Sequence, residues 1–196
     1  LADEDKLAIA RLVKSYVKVA LCTGRVLHTT LPIIEELHLT TPHIMFDGAL
    51  IDTPLSHATI YRKPLLPETV REAVSYCRAN NIYLELYSRD VFFAERENWS
   101  DEVHRKFFRI EPTFECFDDI WERETILKAE LVVHSPEEAQ KAKGFADHFN
   151  GRLSFSIART PAYPDVEFLN IVNPEVSKGA ALRYLASELG VYVTEI

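Results

Sequence analysis

The stretch VKVALCTGR, residues 17–25, is a largely apolar run that ends in Thr23-Gly24-Arg25. Val, Ala and Leu in close succession are typical of a buried strand, and the polar tripeptide that follows marks a loop. Ligands of open α/β sheets bind at the carboxyl ends of strands. The loop therefore offers a hydroxyl, a flexible backbone and a cation to an anionic oxygen, although T-G-R after a strand is also typical of an ordinary turn.

The segments on either side of this run predict alternating helices and strands. Before it, Ala8, Ile9, Leu12 and Val13 recur at helical spacing. After it, a Leu/Ile-rich segment leads to the short apolar run HIMF at residues 43–46. This spacing fits parallel strands joined by helical crossovers. We therefore expect an α/β fold with a partial Rossmann-like parallel core.

Beyond Asp52 the predicted strands follow one another more closely. Residues 127–134 read as a strand, and Ser135 with Glu138 forms a capping box that opens the next helix. The order is approximately βαββ(α)βαββ, which predicts a second subdomain with an antiparallel-rich sheet and helices on one face.

A final helix is predicted to begin at Ser177-Lys178-Gly179 and to end before Gly190, with a strand near residues 191–196. Ser177 is a suitable N-cap, so free backbone N–H groups and the Lys178 ammonium converge at the start of this helix. That combination is typical of phosphate binding. The alternative is a solvated surface lysine.

Composition excludes several classes of partner. The formal net charge is -8 and the basic residues form no cluster, which argues against nucleic acid. No apolar run approaches the ~20 residues of a membrane span. The three cysteines suggest neither a disulfide framework nor a metal pair, and the seven histidines, His57 among them, show no ligand spacing. We expect a cytoplasmic protein with no metal ligands of its own.

Three segments together resemble one family. LCTGR at residues 21–25, FDGALI at 46–51 and FLNIVNPEVSKGAAL at 168–182 are similar to the motifs of Cof-type haloacid dehalogenase-like phosphatases. The resemblance implies a core formed by residues 1–51 and 168–196, with an inserted α/β cap domain at residues 52–167.

The resemblance also implies functional residues. Thr23 would donate a hydrogen bond to the transferring phosphoryl group, and Lys178 would neutralise its charge. Gly24, Arg25, Asp47 and Gly48 fall in the matching motifs as substrate-binding positions. Asp47 stands where the family has Asn, and Asp47-Gly48 is also typical of a simple turn.

Two family motifs are absent from residues 1–196: the D-x-D-G-T that carries the nucleophile and general acid, and the G-D-x-x-N-D that completes the magnesium site. We therefore expect an internal fragment of a Mg²⁺-dependent phosphomonoesterase, and we expect the fragment to be inactive by itself. The complete enzyme would act on small phosphorylated metabolites such as sugar phosphates through an aspartyl-phosphate intermediate. The alternatives are a non-catalytic phosphometabolite-binding module and a phosphomutase-like transferase.

Overall fold

A computed structural model describes residues 1–56 and 58–196, so the expectation for His57 lies outside the described residues. The chain divides into two compact units. Unit 1 comprises Leu1–Arg62 and Ser177–Ile196, and unit 2 comprises Lys63–Val176. The boundaries drawn from the sequence, after residues 51 and 167, fall earlier than these divisions.

Helices and strands are interspersed along the chain, with several strands following one another directly. The helices are α1 (Asp3–Lys14), α2 (Leu27–Glu36), α3 (Pro67–Ala79), α4 (Ser100–Val103), α5 (Ile120–Arg123), α6 (Pro136–His148) and α7 (Lys178–Leu189). The strands are β1 (His43–Met45), β2 (Leu50–Thr53), β3 (Ala58–Arg62), β4 (Glu85–Tyr87), β5 (Phe92–Ala94), β6 (Thr113–Phe114), β7 (Lys128–Val133), β8 (Ser154–Thr160) and β9 (Tyr163–Val172). A π-helical turn, His104–Phe108, continues α4.

Unit 1 contains an antiparallel sheet in the order β1-β2-β3. Because β3 pairs with β2, this unit extends to Arg62, beyond the predicted boundary. Helix α7 packs on the sheet, where Ala181 and Leu185 join Ile44 and Ile51 in a small buried core. This packing brings the start of α7 close to the turn that follows β1.

Two strands predicted in unit 1 take another form. The run at residues 17–22 makes a single parallel bridge, Cys22 with Ile44. The Leu21 carbonyl oxygen accepts from Ile44 N–H at 2.8 Å, but the Leu21 N–H donates to a side chain, His43 Nδ1, at 3.1 Å. At the other end, Gly190 adopts a left-handed conformation that ends α7, and Val193–Glu195 forms a 3₁₀ turn in place of the predicted strand.

Unit 2 contains a sheet in the order β6-β5-β4-β7-β9-β8. Its pairings are antiparallel except for the parallel pair β5–β6, so the predicted antiparallel-rich sheet and the α/β class are confirmed. Strand β9 runs without interruption from Tyr163 to Val172, which keeps residues 168–172 in this sheet.

The two faces of the unit 2 sheet differ in character. On one face, Leu86, Ala129 and Ile171 are buried in a core shared with α3 and α6. The other face carries the cross-strand partners Glu85, Glu130 and, on β9, Asn170. On that face an apolar cluster formed by β7, β9 and the α4 segment includes Val103, Val132 and Phe168, with Trp99 and Phe108 at its margin. Helical residues therefore contribute to the second face as well.

The first and last residues of unit 2 are joined to each other. Lys63 forms an ion pair with Glu175, and Asn173 Nδ2 donates to the carbonyl oxygen of Pro64 at 2.9 Å. Among the described residues, none of the helices is both long and apolar enough to cross a membrane.

Candidate functional site

Two loops of unit 1 are joined by backbone hydrogen bonds. Phe46 N–H donates to the Arg25 carbonyl oxygen at 3.1 Å, and Asp47 N–H donates to that of Thr23 at 3.2 Å. Within the first loop, Arg25 N–H donates to Thr23 Oγ1 at 3.1 Å. A hydroxyl oxygen that accepts one hydrogen bond keeps its own hydrogen for another acceptor. The half-buried Thr23 therefore remains a possible donor.

The second loop is a turn of unusual backbone conformation. Phe46, Asp47 and Gly48 have φ values of 52°, 56° and 107°. At Gly48 a Cβ would lie 2.6 Å from the carbonyl oxygen of Ser177. Only glycine fits there, because the backbone of the α7 N-terminus passes directly over it.

Helix α7 brings Lys178 to the same turn. Ser177 caps the helix, since its Oγ accepts from Ala180 N–H at 3.1 Å. The Lys178 ammonium lies 3.1 Å from Asp47 Oδ1. A Cβ at Gly24 would lie 2.7 Å from the same Asp47 oxygen, so the missing side chain leaves room for the carboxylate.

The structure thus gathers most of the residues that the sequence singles out. Thr23, Gly24, Asp47, Gly48 and Lys178 meet where the loop after the Cys22 bridge approaches the start of α7. Arg25 joins them through its backbone and is exposed to solvent. These positions remain predictions as functional residues, since proximity alone assigns no role.

Cys22 lies within the electrostatic influence of this group. Partial burial raises the pKa of its thiol, the Asp47 carboxylate raises it further, and the Lys178 ammonium opposes both. The thiol is therefore held in its neutral form near pH 7.

A half-exposed ammonium, a hydroxyl and a helix N-terminus are suited to binding phosphoryl oxygens. The same residues do not fit a magnesium site. The carboxylate that the described residues place beside Lys178 is Asp47, and its Oδ1 is already paired with the ammonium. Mg²⁺ prefers several oxygen ligands in octahedral geometry.

Sequence reasoning missed a polar cluster in unit 2, formed by Glu85, His104, Lys128 and Glu130, which are all at least 95% buried. His104 Nε2 lies 3.0 Å from Glu85 Oε1, and Lys128 forms an ion pair with Glu130. Tyr87 Oη also donates to Glu85, at 2.7 Å. The alternation of Lys128-Ala129-Glu130-Leu131 was the available signal, since it places both charged residues on one face of a strand.

The charges of this buried cluster compensate one another. Burial lowers the pKa of His104, but the charges of Glu85 and Glu130 and the hydrogen bond to Glu85 outweigh that effect and raise it. Burial raises the pKa of Glu130, against the opposing effect of Lys128. Ligand atoms of Glu85, His104 and Glu130 lie within 4.8 Å of one another, so they are a geometric candidate for a metal site. Lys128 already supplies the positive charge that a cation would bring.

Comparison with known proteins bears on both units. The profile of the haloacid dehalogenase-like hydrolases, Hydrolase_3, matches residues 1–196. A haloacid dehalogenase-like hydrolase from Bacteroides thetaiotaomicron is 16% identical, with a TM-score of 0.78 over 97% of this chain and 71% of that one. One from B. subtilis is 16% identical, with a TM-score of 0.76 over 99% and 74%.

A sugar phosphatase of HAD subclass IIB is 15% identical, with a TM-score of 0.73 over 98% of this chain and 70% of that one. At these identities the structural likeness concerns the fold. None of the curated proteins compared with the chain matches it.

Proposed function

Because the chain belongs to the haloacid dehalogenase-like hydrolase family, whose profile matches residues 1–196, we propose that it is part of a phosphatase of small phosphorylated metabolites. The proposed reaction is hydrolysis of a phosphomonoester, with sugar phosphates as the favoured substrates. The observation that carries the proposal is the position of the Lys178 ammonium beside Asp47, in the turn that contacts both the Thr23-Gly24-Arg25 loop and the N-terminus of α7.

Each residue of the site has a role in this proposal. Lys178 neutralises charge on the phosphoryl group, and Thr23 donates a hydrogen bond to one of its oxygens. Gly24 allows a close approach to the backbone, and Arg25 orients the substrate. Asp47 and Gly48 shape the turn beside the phosphoryl group. Unit 2 is the cap domain, which selects the leaving group.

The covalent chemistry is assigned to residues outside this chain. In the whole enzyme an aspartate of D-x-D-G-T attacks phosphorus, a second aspartate protonates the leaving alcohol, and water releases phosphate from the aspartyl intermediate. Mg²⁺ would neutralise phosphate charge, with ligands from the two motifs that residues 1–196 lack. The residues around Lys178 do not themselves fit a magnesium site, so Thr23 and Lys178 are assigned roles toward the phosphoryl group and none as metal ligands.

The test compares the 196-residue chain with the full-length protein that contains it. We expect no release of p-nitrophenolate from p-nitrophenyl phosphate by the chain in the presence of Mg²⁺, and phosphate release by the full-length protein from members of a sugar-phosphate panel. In the full-length protein, Lys178→Met should lower kcat/KM by about 100-fold or more. The exposed Glu188→Gln, on the same helix, is the control and should have no effect.

Turnover by the 196-residue chain would contradict the proposal that it lacks the catalytic aspartates. An unchanged kcat/KM in Lys178→Met would contradict the role of the lysine. The coding sequence on both sides of the chain decides between the proposal and a binding module. D-x-D-G-T upstream and G-D-x-x-N-D downstream support the phosphatase, whereas a start codon at Leu1 and a stop codon after Ile196 favour a non-catalytic module. Transfer of phosphate to a sugar in place of water would indicate a phosphomutase-like enzyme.

A further inference from the structure

The Lys178 ammonium already has an anionic partner inside the protein. Its Nζ lies 3.1 Å from Asp47 Oδ1, and the two side chains are 50% and 14% exposed. Lys178 is thus open to solvent while the carboxylate beside it is largely shielded. A phosphoryl group that approached this ammonium would compete with the Asp47 carboxylate for its positive charge.

Two glycines create the place that this carboxylate occupies. A Cβ at Gly24 would lie 2.7 Å from Asp47 Oδ1, and a Cβ at Gly48 would lie 2.6 Å from the Ser177 carbonyl oxygen. Asp47 itself has a φ of 56°, in the left-handed region that Asp and Asn tolerate best among residues with a side chain. The ion pair therefore depends on a specific backbone arrangement and is more than a chance contact between flexible surface side chains.

The other carboxylate oxygen is poorly compensated. Among the described residues, Asp47 Oδ2 has no hydrogen-bond partner and is shielded from solvent. An unsatisfied buried oxygen is unfavourable, and for a carboxylate the nearest compensation is the charge of the ammonium. Asp47 is therefore stabilised by Lys178 in the absence of a ligand.

We propose that Asp47 is an internal counter-anion, which occupies the Lys178 ammonium in the unliganded protein and lowers the affinity of the site for free phosphate. This inference rests on the proposed function, because it takes Lys178 to be the phosphoryl-binding cation. Its consequence is weaker binding of the phosphoryl group itself. Every incoming phosphoryl group must displace the carboxylate, so a substrate depends more on contacts with its organic part, and inorganic phosphate, the product, is released more readily.

The test measures binding of inorganic phosphate to the 196-residue chain by isothermal titration calorimetry at low ionic strength. Asp47→Asn keeps the side-chain shape and the tolerance for left-handed backbone but removes the charge. We expect it to tighten phosphate binding about tenfold, since one negative charge near the ligand is removed. Glu188→Gln changes the net charge equally on the exposed side of α7 and should leave the affinity unchanged.

Lys178→Met, made in the wild type and in Asp47→Asn, separates the two proposals. Loss of the tighter binding in the double variant supports the counter-anion. If Lys178→Met weakens binding but Asp47→Asn does not strengthen it, the counter-anion is wrong and the phosphate site stands. If Lys178→Met changes binding in neither background, both proposals are wrong. Asp47→Ser, a second neutral variant whose folding is checked by circular dichroism, should change the affinity in the same direction as Asp47→Asn.

Discussion

A lysine meets a carboxylate in both units, but in opposite surroundings. In unit 1, Lys178 is half exposed and reaches Asp47 at the end of a loop. In unit 2, Lys128 and Glu130 are nearly fully buried beside Glu85 and His104. Charges removed from water require close compensation, whereas exposed pairs contribute little to stability. The difference indicates that the cluster in unit 2 is structural, while the pair in unit 1 keeps a cation that a ligand can reach.

The largest expected effect comes from breaking the buried pair. Lys128→Met leaves the Glu130 carboxylate without its ammonium and close to Glu85, so the free energy of unfolding should fall by about 3–5 kcal/mol. Urea unfolding followed by tryptophan fluorescence reports on unit 2, because both tryptophans, Trp99 and Trp121, belong to it.

Two controls sharpen the contrast. Lys178→Met, in the half-exposed pair, should cost less than Lys128→Met, about 1–3 kcal/mol when circular dichroism follows the unfolding, because Asp47 is 14% exposed and keeps some contact with water. Adding Glu130→Gln to Lys128→Met should recover part of the lost stability, because no charge is then left unpaired. A loss below 1 kcal/mol for Lys128→Met would show that the cluster is not held together by its charges.

The free energy of unfolding should depend on pH, and the two units should contribute to this dependence with opposite sign. Burial lowers the pKa of His43 in unit 1 to about 4, with Asp52 opposing. The unfolded chain therefore binds more protons between the two pKa values, and stability should fall as the pH decreases from 6.5 to 4. The loss is on the order of 3 kcal/mol. For His104 the folded-state pKa is raised, so its contribution is complete below pH 6.5 and is lost as the pH rises through the folded value.

Two variants isolate these contributions. His43→Asn retains an acceptor for the Leu21 N–H and should be less sensitive to acid than the wild type. His104→Gln retains a donor to Glu85 and should remove the loss at higher pH. Unfolding free energies measured from pH 4 to 8 give both differences. Parallel curves for a variant and the wild type would mean that the histidine does not titrate differently in the folded and unfolded states.

A smaller effect is expected from two glycines with positive φ, one in each unit. A Cβ at Gly48 meets the Ser177 backbone, whereas a Cβ at Gly151 has no heavy atom within 4 Å. Both alanine variants carry the strain of a side chain at positive φ, about 1–2 kcal/mol, and Gly48 at φ 107° lies further from the left-handed minimum than Gly151 at 76°. Gly48→Ala should cost about 1–3 kcal/mol more than Gly151→Ala in urea unfolding. Equal losses would show that the α7 N-terminus moves away easily from the turn.

Local signals in the sequence predicted local structure well. Ser135 and Glu138 form the predicted capping box of α6, and Ser177 and Gly190 bound α7 as predicted. The prediction of a buried strand from the apolar run at residues 17–22 was wrong, because periodicity cannot show whether a strand finds a partner. In the structure only Cys22 pairs, and Val17 is exposed.

The candidate site was predicted by resemblance more than by residue chemistry. Thr23 and Lys178 lie far apart in the chain, and no local pattern brings them together. The contact between Asp47 and Lys178 and the cluster around Glu130 were missed for the same reason. Both depend on which residues face one another across separate elements, which a single sequence does not encode at any one position.

The joined ends of unit 2 have a consequence for the chain as a whole. Lys63 and Glu175 touch, and Asn173 binds the carbonyl of Pro64, so the segment leaves and returns at nearly the same point. The entropic cost of closing a loop depends on how far apart its ends must be held and how long it is. An insertion whose folding brings its own ends together spares the host chain most of that cost. We therefore expect that replacing Lys63–Val176 by another segment whose own ends meet would add little entropic cost to the residues that flank it.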